Sequence, residues 1–94
     1  MKRYYSHYTF IYPSTYLKDT VVELDNMNNI VKTFPFEKEL EKTEFSSGAL
    51  FFVPNSMRIN PYFVDYTKKQ LFTSLGEDIQ EDIAVNAVIC NVED

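Results

Sequence analysis

The stretch TVVELDNMNNIVKTF, residues 20–34, decides the fold class of this chain. Its two ends are rich in Val, Ile, Thr and Phe, which favour extended strands. Its centre, residues 26–29, contains three asparagines, and asparagine tolerates the positive φ angles of tight turns. The pattern therefore predicts a β-hairpin over residues 20–34, with strands at 20–25 and 30–34.

Two further segments also predict strands. Residues 3–12 are rich in Tyr, Phe, Thr and Ile, and the Pro-Ser-Thr sequence at 13–15 ends them. Residues 49–53 read Ala-Leu-Phe-Phe-Val, a continuous apolar run that is typical of a strand buried on both faces. Residues 57–64, which Pro61 interrupts, predict a short edge strand. Residues 35–42 could form one helical turn.

One helix is expected over residues 66–75, with Asp65 as its N-cap and Gly76 as the left-handed residue after its end. Four apolar residues share one face of this helix: Val64, Leu71, Phe72 and Leu75. The tail, residues 79–92, fits a helical period, but its β-branched residues favour a strand. We predict a strand from about residue 83 to residue 92.

These segments together predict a single domain over residues 1–94. The fold class is mainly β, a small β-sandwich or roll with one hairpin and one short helix, and an α+β fold is the alternative. A 16% aromatic content compensates for the small size of the chain, because Phe and Tyr bury large areas.

The charge of the chain argues against two classes of partner, nucleic acids and anionic membranes. The net charge is −5, and from Glu77 onward there are six acidic residues without a Lys or Arg. Nucleic acids and anionic membranes both require clustered cations, so we expect neither as a partner. Because Lys2-Arg3 is followed by polar and aromatic residues instead of an apolar leader, we expect a cytoplasmic protein.

The residues that carry most catalytic chemistry are scarce. His7 is the only histidine and Cys90 the only cysteine, and neither stands at metal-ligand spacing from others. We interpret them as a hydrogen-bonded structural histidine and a small buried thiol. The two glycines, Gly48 and Gly76, are too few for a phosphate-binding loop. We therefore expect no enzyme activity, no cofactor and no metal.

Several segments of the first 55 residues resemble the start of amidohydrolase-superfamily proteins, the metal-dependent hydrolases related to cytosine deaminase and imidazolonepropionase. In those enzymes similar segments build a small β-sandwich, the composite domain, beside a catalytic (β/α)₈ barrel. The segments that carry the resemblance are YSHYTFIY at 5–12, YLKDTVVELD at 16–25, NIV at 29–31, ELEKTEF at 39–45 and GALFFVPN at 48–55.

The sequence departs from the family where the barrel would begin. The family has a His-x-His pair of metal ligands there, but here Pro54 is followed by Asn-Ser-Met at 55–57. The chain is also far too short for a barrel of ~250 residues. Residues 75–78 and 82–85 resemble the segment that returns after the barrel. The resemblance thus implies an orphan composite domain to which no catalytic residue carries over.

The surplus of tyrosine is the one unusual feature of the composition. An aromatic stripe on the first strand either packs in the core or forms a surface for a partner, because Tyr combines a large contact area with a low entropy cost. Its possible interface residues are Tyr4, Tyr8, Phe10 and Tyr12. The sequence therefore predicts a non-catalytic domain that acts through protein contacts, as a homodimer. The alternative is a small-ligand-binding domain with a Tyr- and Phe-lined cleft.

Overall fold

A computed structural model of the chain describes residues 1–37, 42–77 and 87–92. Within these residues the chain is mainly β with a single helix, as the sequence predicts. The elements in chain order are β1 (Lys2–Ile11), β2 (Thr15–Leu24), β3 (Ile30–Pro35), β4 (Thr43–Ser46), β5 (Ala49–Pro54), α1 (Pro61–Ser74) and β6 (Ala87–Val92).

The six described strands form one mixed sheet. Its order is β3-β2-β1-β5-β6, and β4 pairs with the N-terminal half of β1 along the edge that β5 uses further on. The first three strands form an antiparallel meander, whereas β4 and β5 run parallel to β1, and β6 runs parallel to β5. The helix α1 lies in the connection between the parallel strands β5 and β6, as such crossovers usually require.

One extra residue separates the pairing of β4 from that of β5. Ser6 is opposite Ser46, but Thr9 is opposite Leu50, so the register along β1 shifts by one. The buried Ser6 hydroxyl donates a hydrogen bond of 2.6 Å to the Gly48 carbonyl and accepts one of 3.2 Å from the Tyr8 N–H. Ser6 thereby supplies hydrogen bonds where the ladder is interrupted.

The pair of strands β1 and β2 changes its buried side at His7 and Asp19. The ladder pairs Ser6 with Thr20 and Tyr8 with Lys18, but it skips the position between them, where Asp19 has a φ of 49°. Tyr4 and Tyr8 would share one side of a regular strand. Tyr4 nevertheless packs against Phe52 and Tyr8 against Phe72, two residues that belong to different hydrophobic cores. We call this position the corner of the sheet.

The two cores lie on opposite faces of β5, whose apolar residues alternate between them. The helix-side core contains Tyr8, Phe10, Ala49, Phe51, Val53, Leu71 and Phe72. The second core contains Val22, Leu24, Leu50 and Phe52, with Tyr4 and Cys90 packed at its margin. Because both faces of β5 are covered, its sequence is apolar throughout, which confirms the predicted buried strand.

The predicted hairpin over residues 20–34 is confirmed, although β2 begins earlier than expected. Asp25 Oδ1 accepts hydrogen bonds from the Met27 and Asn29 N–H groups, and Asn28 adopts a φ of 62° in the turn. The strand β2 begins at Thr15 because a tight turn after β1 lets Thr15 pair at once with Ile11. The single helical turn predicted at 35–42 falls largely on residues 38–41, outside the described residues.

The helix begins five residues before its predicted start. The Asn60 side chain accepts a hydrogen bond of 2.8 Å from the Phe63 N–H, and Pro61 occupies the first helical position. Proline is suited to that position because its missing N–H has no partner there anyway. The prediction of Asp65 as N-cap and of an edge strand at 57–64 was therefore wrong.

The other end of the helix and the tail follow the prediction where they are described. Gly76 has a φ of 70°, the left-handed conformation expected after the helix. Leu71 and Phe72 are buried, with Val64 and Leu75 packed beside them. Residues 87–92 form the predicted strand, and the rest of the predicted segment, residues 83–86, lies outside the described residues.

Candidate functional site

The first four strands present a side of the sheet that points away from the second core. Inward residues such as Val22 and Leu24 alternate with the residues of this side. We call it the outer face. It consists of Arg3, Tyr5 and His7 of β1, Asp19, Val21 and Glu23 of β2, Lys32 and Phe34 of β3, Phe36, and Phe45 of β4.

The centre of the outer face is aromatic. The Tyr5 ring stacks on Phe36 with a centroid distance of 4.1 Å and an interplanar angle of 14°. Phe45 meets Tyr5 and His7 edge-on, at centroid distances of 5.4 Å and 5.6 Å. The Phe45 residue is nonetheless 54% exposed. Tyr5 and Val21 beside it are buried, at 9% and 1% exposed, so the apolar surface that this cluster offers to a partner is mainly that of Phe45.

One end of the outer face is anionic. Asp19 Oδ1 lies 2.7 Å from His7 Nδ1 and accepts a hydrogen bond of 3.4 Å from the Tyr5 hydroxyl. Burial and the Asp19 carboxylate raise the pKa of Tyr5. The Asp19 backbone carbonyl also accepts a 2.9 Å bond from the Phe36 N–H. The corner thus fixes this carboxylate at the surface, and its bond to His7 fits the structural histidine that the sequence suggested.

The opposite end of the outer face carries two cations and one carboxylate. Arg3 Nε lies 2.8 Å from Glu23 Oε2, and the exposed Lys32 stands opposite Glu23 in the β2–β3 ladder. Lys32 Nζ is 5.3 Å from the centroid of the Phe34 ring. Among the described residues of the outer face, the cations are Arg3 and Lys32 and the carboxylates are Asp19 and Glu23, whereas the net charge of the chain is −5.

The residues predicted for the interface are distributed over different environments. Tyr8 and Phe10 are only 6% and 2% exposed and lie in the helix-side core, while Tyr4 is partly buried against Phe52. Tyr12 is exposed at the end of the strand. The corner separates Tyr4 from Tyr8, so the four residues do not form one continuous exposed stripe.

None of the residues of the outer face is among the predicted interface residues, and the aromatic ones that sequence reasoning missed include Phe36 and Phe45. Tyr5 and His7 did carry a signal in the sequence, because a tyrosine and the only histidine stand at alternate positions of the first strand. No sequence pattern identified β4, because Thr43–Ser46 is only four residues long.

A second charged cluster connects the end of α1 to the sheet. The Lys18 ammonium donates a hydrogen bond to Glu77 Oε1, and Glu77 also interacts with the Tyr8 hydroxyl. These two partners lower the pKa of Glu77, and the bond to Glu77 raises the pKa of Tyr8 to about 12. This cluster holds the helix against β1 and β2, and we assign it a structural role.

The thiol of Cys90 is poorly suited to covalent chemistry. It packs at the margin of the second core, and burial raises its pKa to about 11. The thiolate is the nucleophile in cysteine chemistry, so a thiol with such a pKa is almost entirely protonated at neutral pH.

Neither a metal cluster nor a membrane span is found in the part of the chain that the structure describes. Among residues 1–37, 42–77 and 87–92, no group of three or more His, Cys, Asp or Glu residues is arranged to hold a metal ion. Within the same ranges, the single helix is too short and too polar to cross a membrane.

Comparison of the chain with family models, with curated proteins and with solved structures gives no match of any of the three kinds. Nothing in these comparisons connects the chain to the amidohydrolase superfamily. That resemblance therefore stays a hypothesis.

Proposed function

We propose that this protein is a non-catalytic interaction domain that associates with a second copy of itself through the outer face. The observation that carries the proposal is Phe45, which is 54% exposed although it contacts two other aromatic side chains of the same face. Burying such a ring against a partner removes apolar area from water, at about 25 cal/mol per Å².

The charge distribution supports self-association at this surface. Two chains of net charge −5 repel each other, which disfavours contact between their acidic regions. The described residues of the outer face carry equal numbers of cations and carboxylates, so two copies that meet there face less like-charge repulsion than their net charge implies. A face only four strands wide is about 20 Å across. Since this is small for a permanent dimer, we expect a dissociation constant in roughly the micromolar range.

The variant Phe45→Ser tests the proposal. Serine removes the exposed ring from a strand position without requiring a change in the backbone. We expect the wild-type protein to approach twice the monomer mass as its concentration rises, and F45S to remain monomeric over the same range. Light scattering coupled to gel filtration, over about 10 µM to 1 mM, measures the difference.

Tyr62→Ser is the matched control, because Tyr62 is an exposed aromatic residue on α1, outside the outer face. It should dimerise as the wild type does. If F45S still dimerises but Y62S does not, the interface lies on the helix and not on the outer face. A wild-type protein that stays monomeric at 1 mM would contradict self-association.

The small-ligand alternative rests on the same aromatic residues, with Asp19 as the polar group beside them. It predicts saturable binding of a small molecule by a monomer, so the mass measurement also separates the two functions. A cytoplasmic location and an origin as an orphan composite domain remain hypotheses that the proposal does not require.

A further inference from the structure

The two ends of the strand order differ in how they would meet another strand. Among the described residues, β3 and β6 are the terminal strands of this order, and each pairs along one side only. A terminal strand presents N–H and C=O groups that can pair with any extended chain. Proteins therefore commonly blunt such edges with proline, lysine, a bulge or a very short strand. The edge of β3 is blunted in this way, whereas the edge of β6 is not.

The β3 edge carries three of these features. The Phe36 N–H donates to a carbonyl of β2, so the alternation of the backbone directs the groups of Thr33 and Pro35 to the open side. Pro35 has no N–H to offer there. Lys32 is exposed on the same strand, and the β2–β3 register is interrupted by a bulge near its start. An added strand would find few hydrogen-bonding groups along β3.

The β6 edge has none of these features. Its sequence, Ala-Val-Ile-Cys-Asn-Val at 87–92, contains no proline, glycine or charged residue, and its register with β5 is regular. The Val92 carbonyl accepts a 2.8 Å hydrogen bond from the Asn55 N–H on the β5 side. Alternation therefore directs the N–H and C=O groups of Ala87, Ile89 and Asn91 away from β5, where no described strand pairs with them.

The side chains at this edge also leave apolar surface for a neighbour. Val88 is 43% exposed, and it shares a face of the strand with Cys90 and Val92 at the margin of the second core. On the other face, Ile89 packs beside the helix-side core and Asn91 is exposed. Directly opposed side chains of paired strands lie about 4.5–5.5 Å apart. Apolar side chains of an added strand would therefore cover Val88 and Cys90.

The charge of the tail favours a cationic strand at this edge. Glu93 and Asp94 follow β6 directly in the sequence, and the chain contains no Lys or Arg after Glu77. Opposite charges on paired strands stabilise the pairing, and like charges destabilise it. A second copy of β6 would bring the same acidic residues to the contact, so this strand is poorly suited to pairing with itself.

We propose that the open edge of β6 is a docking site for an extended segment of a partner protein, which adds a strand to the sheet. The segment has apolar residues at alternate positions and Lys or Arg at its ends. In this mode of recognition the main-chain hydrogen bonds supply affinity and the side chains supply specificity. The surface is separate from the outer face, so the inference does not rest on the function proposed above.

A synthetic peptide, acetyl-KVTVTVK-amide, serves as the probe because its centre alternates Val and Thr between two lysines. It should shift the backbone amide NMR signals of Ile89 and Asn91 saturably and leave that of Thr33 on β3 unchanged. The peptide acetyl-EVTVTVE-amide should bind at least about tenfold more weakly at low salt. A lysine peptide whose central amides are N-methylated cannot donate the backbone hydrogen bonds and should not bind.

Proline substitution tests the edge from the side of the protein. Asn91→Pro removes one outward N–H without removing a hydrogen bond of the β5–β6 ladder, and an edge strand tolerates proline at such a position. We expect N91P to lose at least about tenfold in affinity for the peptide. Asn91→Ala keeps the N–H and is the matched control, and Thr33→Pro makes the same kind of change on the β3 edge. Both should bind as the wild type does.

The thermal midpoint of each variant checks that it folds, and the N-methylated peptide decides the question if N91P does not fold. F45S should bind the peptide as the wild type does, because Phe45 lies on β4. Unchanged signals at Ile89 and Asn91, equal binding of the N-methylated peptide, or full affinity in a folded N91P would overturn the docking edge. Equal binding of the lysine and glutamate peptides would overturn its preference for cations. A dimer of F45S that N91P abolishes would make a second copy the occupant, and the partner proposal would be wrong.

Discussion

At the scale of single residues, Asp19 determines where the outer face turns polar. Its φ of 49° lies in the left-handed region, which Asp and Asn adopt more readily than most residues. Because Asp19 leaves the regular ladder there, its carboxylate reaches His7 Nδ1 and the Tyr5 hydroxyl on the outer face. A backbone conformation at one position thus places a charge beside the cluster of Tyr5, His7 and Phe45.

Gly76 gives a test of backbone conformation at the residue scale. Its φ is 70°, and a Cβ added there meets no atom within 4 Å, so the cost of Gly76→Ala is backbone strain alone. We expect the free energy of unfolding to fall by about 1 kcal/mol. Urea denaturation measures it, with Ser74→Ala in the last turn of α1 as the control. An unchanged midpoint for G76A would mean that the helix ends differently.

At the scale of elements, the sequence predicts those segments whose pattern is local. The hairpin, the buried strand β5 and the buried face of α1 follow from residue spacing and turn residues. The early start of the helix was missed because Pro61 resembles a strand breaker, although it is also favoured at a first helical position. The strand β4 depends on pairing with β1, a long-range contact that no local pattern encodes.

The Glu77 cluster gives a prediction about the helix as an element. Its hydrogen bonds to Lys18 and Tyr8 lower the pKa of Glu77, so the ionised carboxylate favours the folded state. This stabilisation is complete above the pKa of an unfolded glutamate, about 4.3, and is lost as the pH falls through the lowered value. The Glu77→Gln variant should therefore melt at a lower temperature than the wild type at pH 7.

The difference between wild type and E77Q should shrink as the pH falls from about 5 to 3. Circular dichroism across that range measures it, and Glu37→Gln, at an exposed carboxylate, is the control. A gap between wild type and E77Q that is constant with pH would show that the glutamine disturbs packing instead of removing a charge interaction.

At the scale of the whole molecule, the corner explains why the candidate surface could not be predicted. A period of two assigns Tyr4, Tyr8 and Phe10 to one side of a strand, but Tyr4 packs against the second core, whereas Tyr8 and Phe10 lie in the helix-side core. The change takes place at His7 and Asp19, where β1 passes from pairing with β4 to pairing with β5, and such long-range pairing leaves no local pattern. The aromatic composition could suggest an interaction domain, but the position of its surface follows only from tertiary structure.

The most direct test of the central claim, contact between protein molecules through the outer face, needs no substitution. Backbone amide NMR signals of the wild-type protein are compared between dilute and concentrated solutions. We predict concentration-dependent shifts at His7, Lys32 and Phe45, and unchanged signals at Tyr62 and Tyr66 on the exposed side of α1. Signals that stay constant at every concentration, or shifts centred on Tyr62 and Tyr66, would contradict the account.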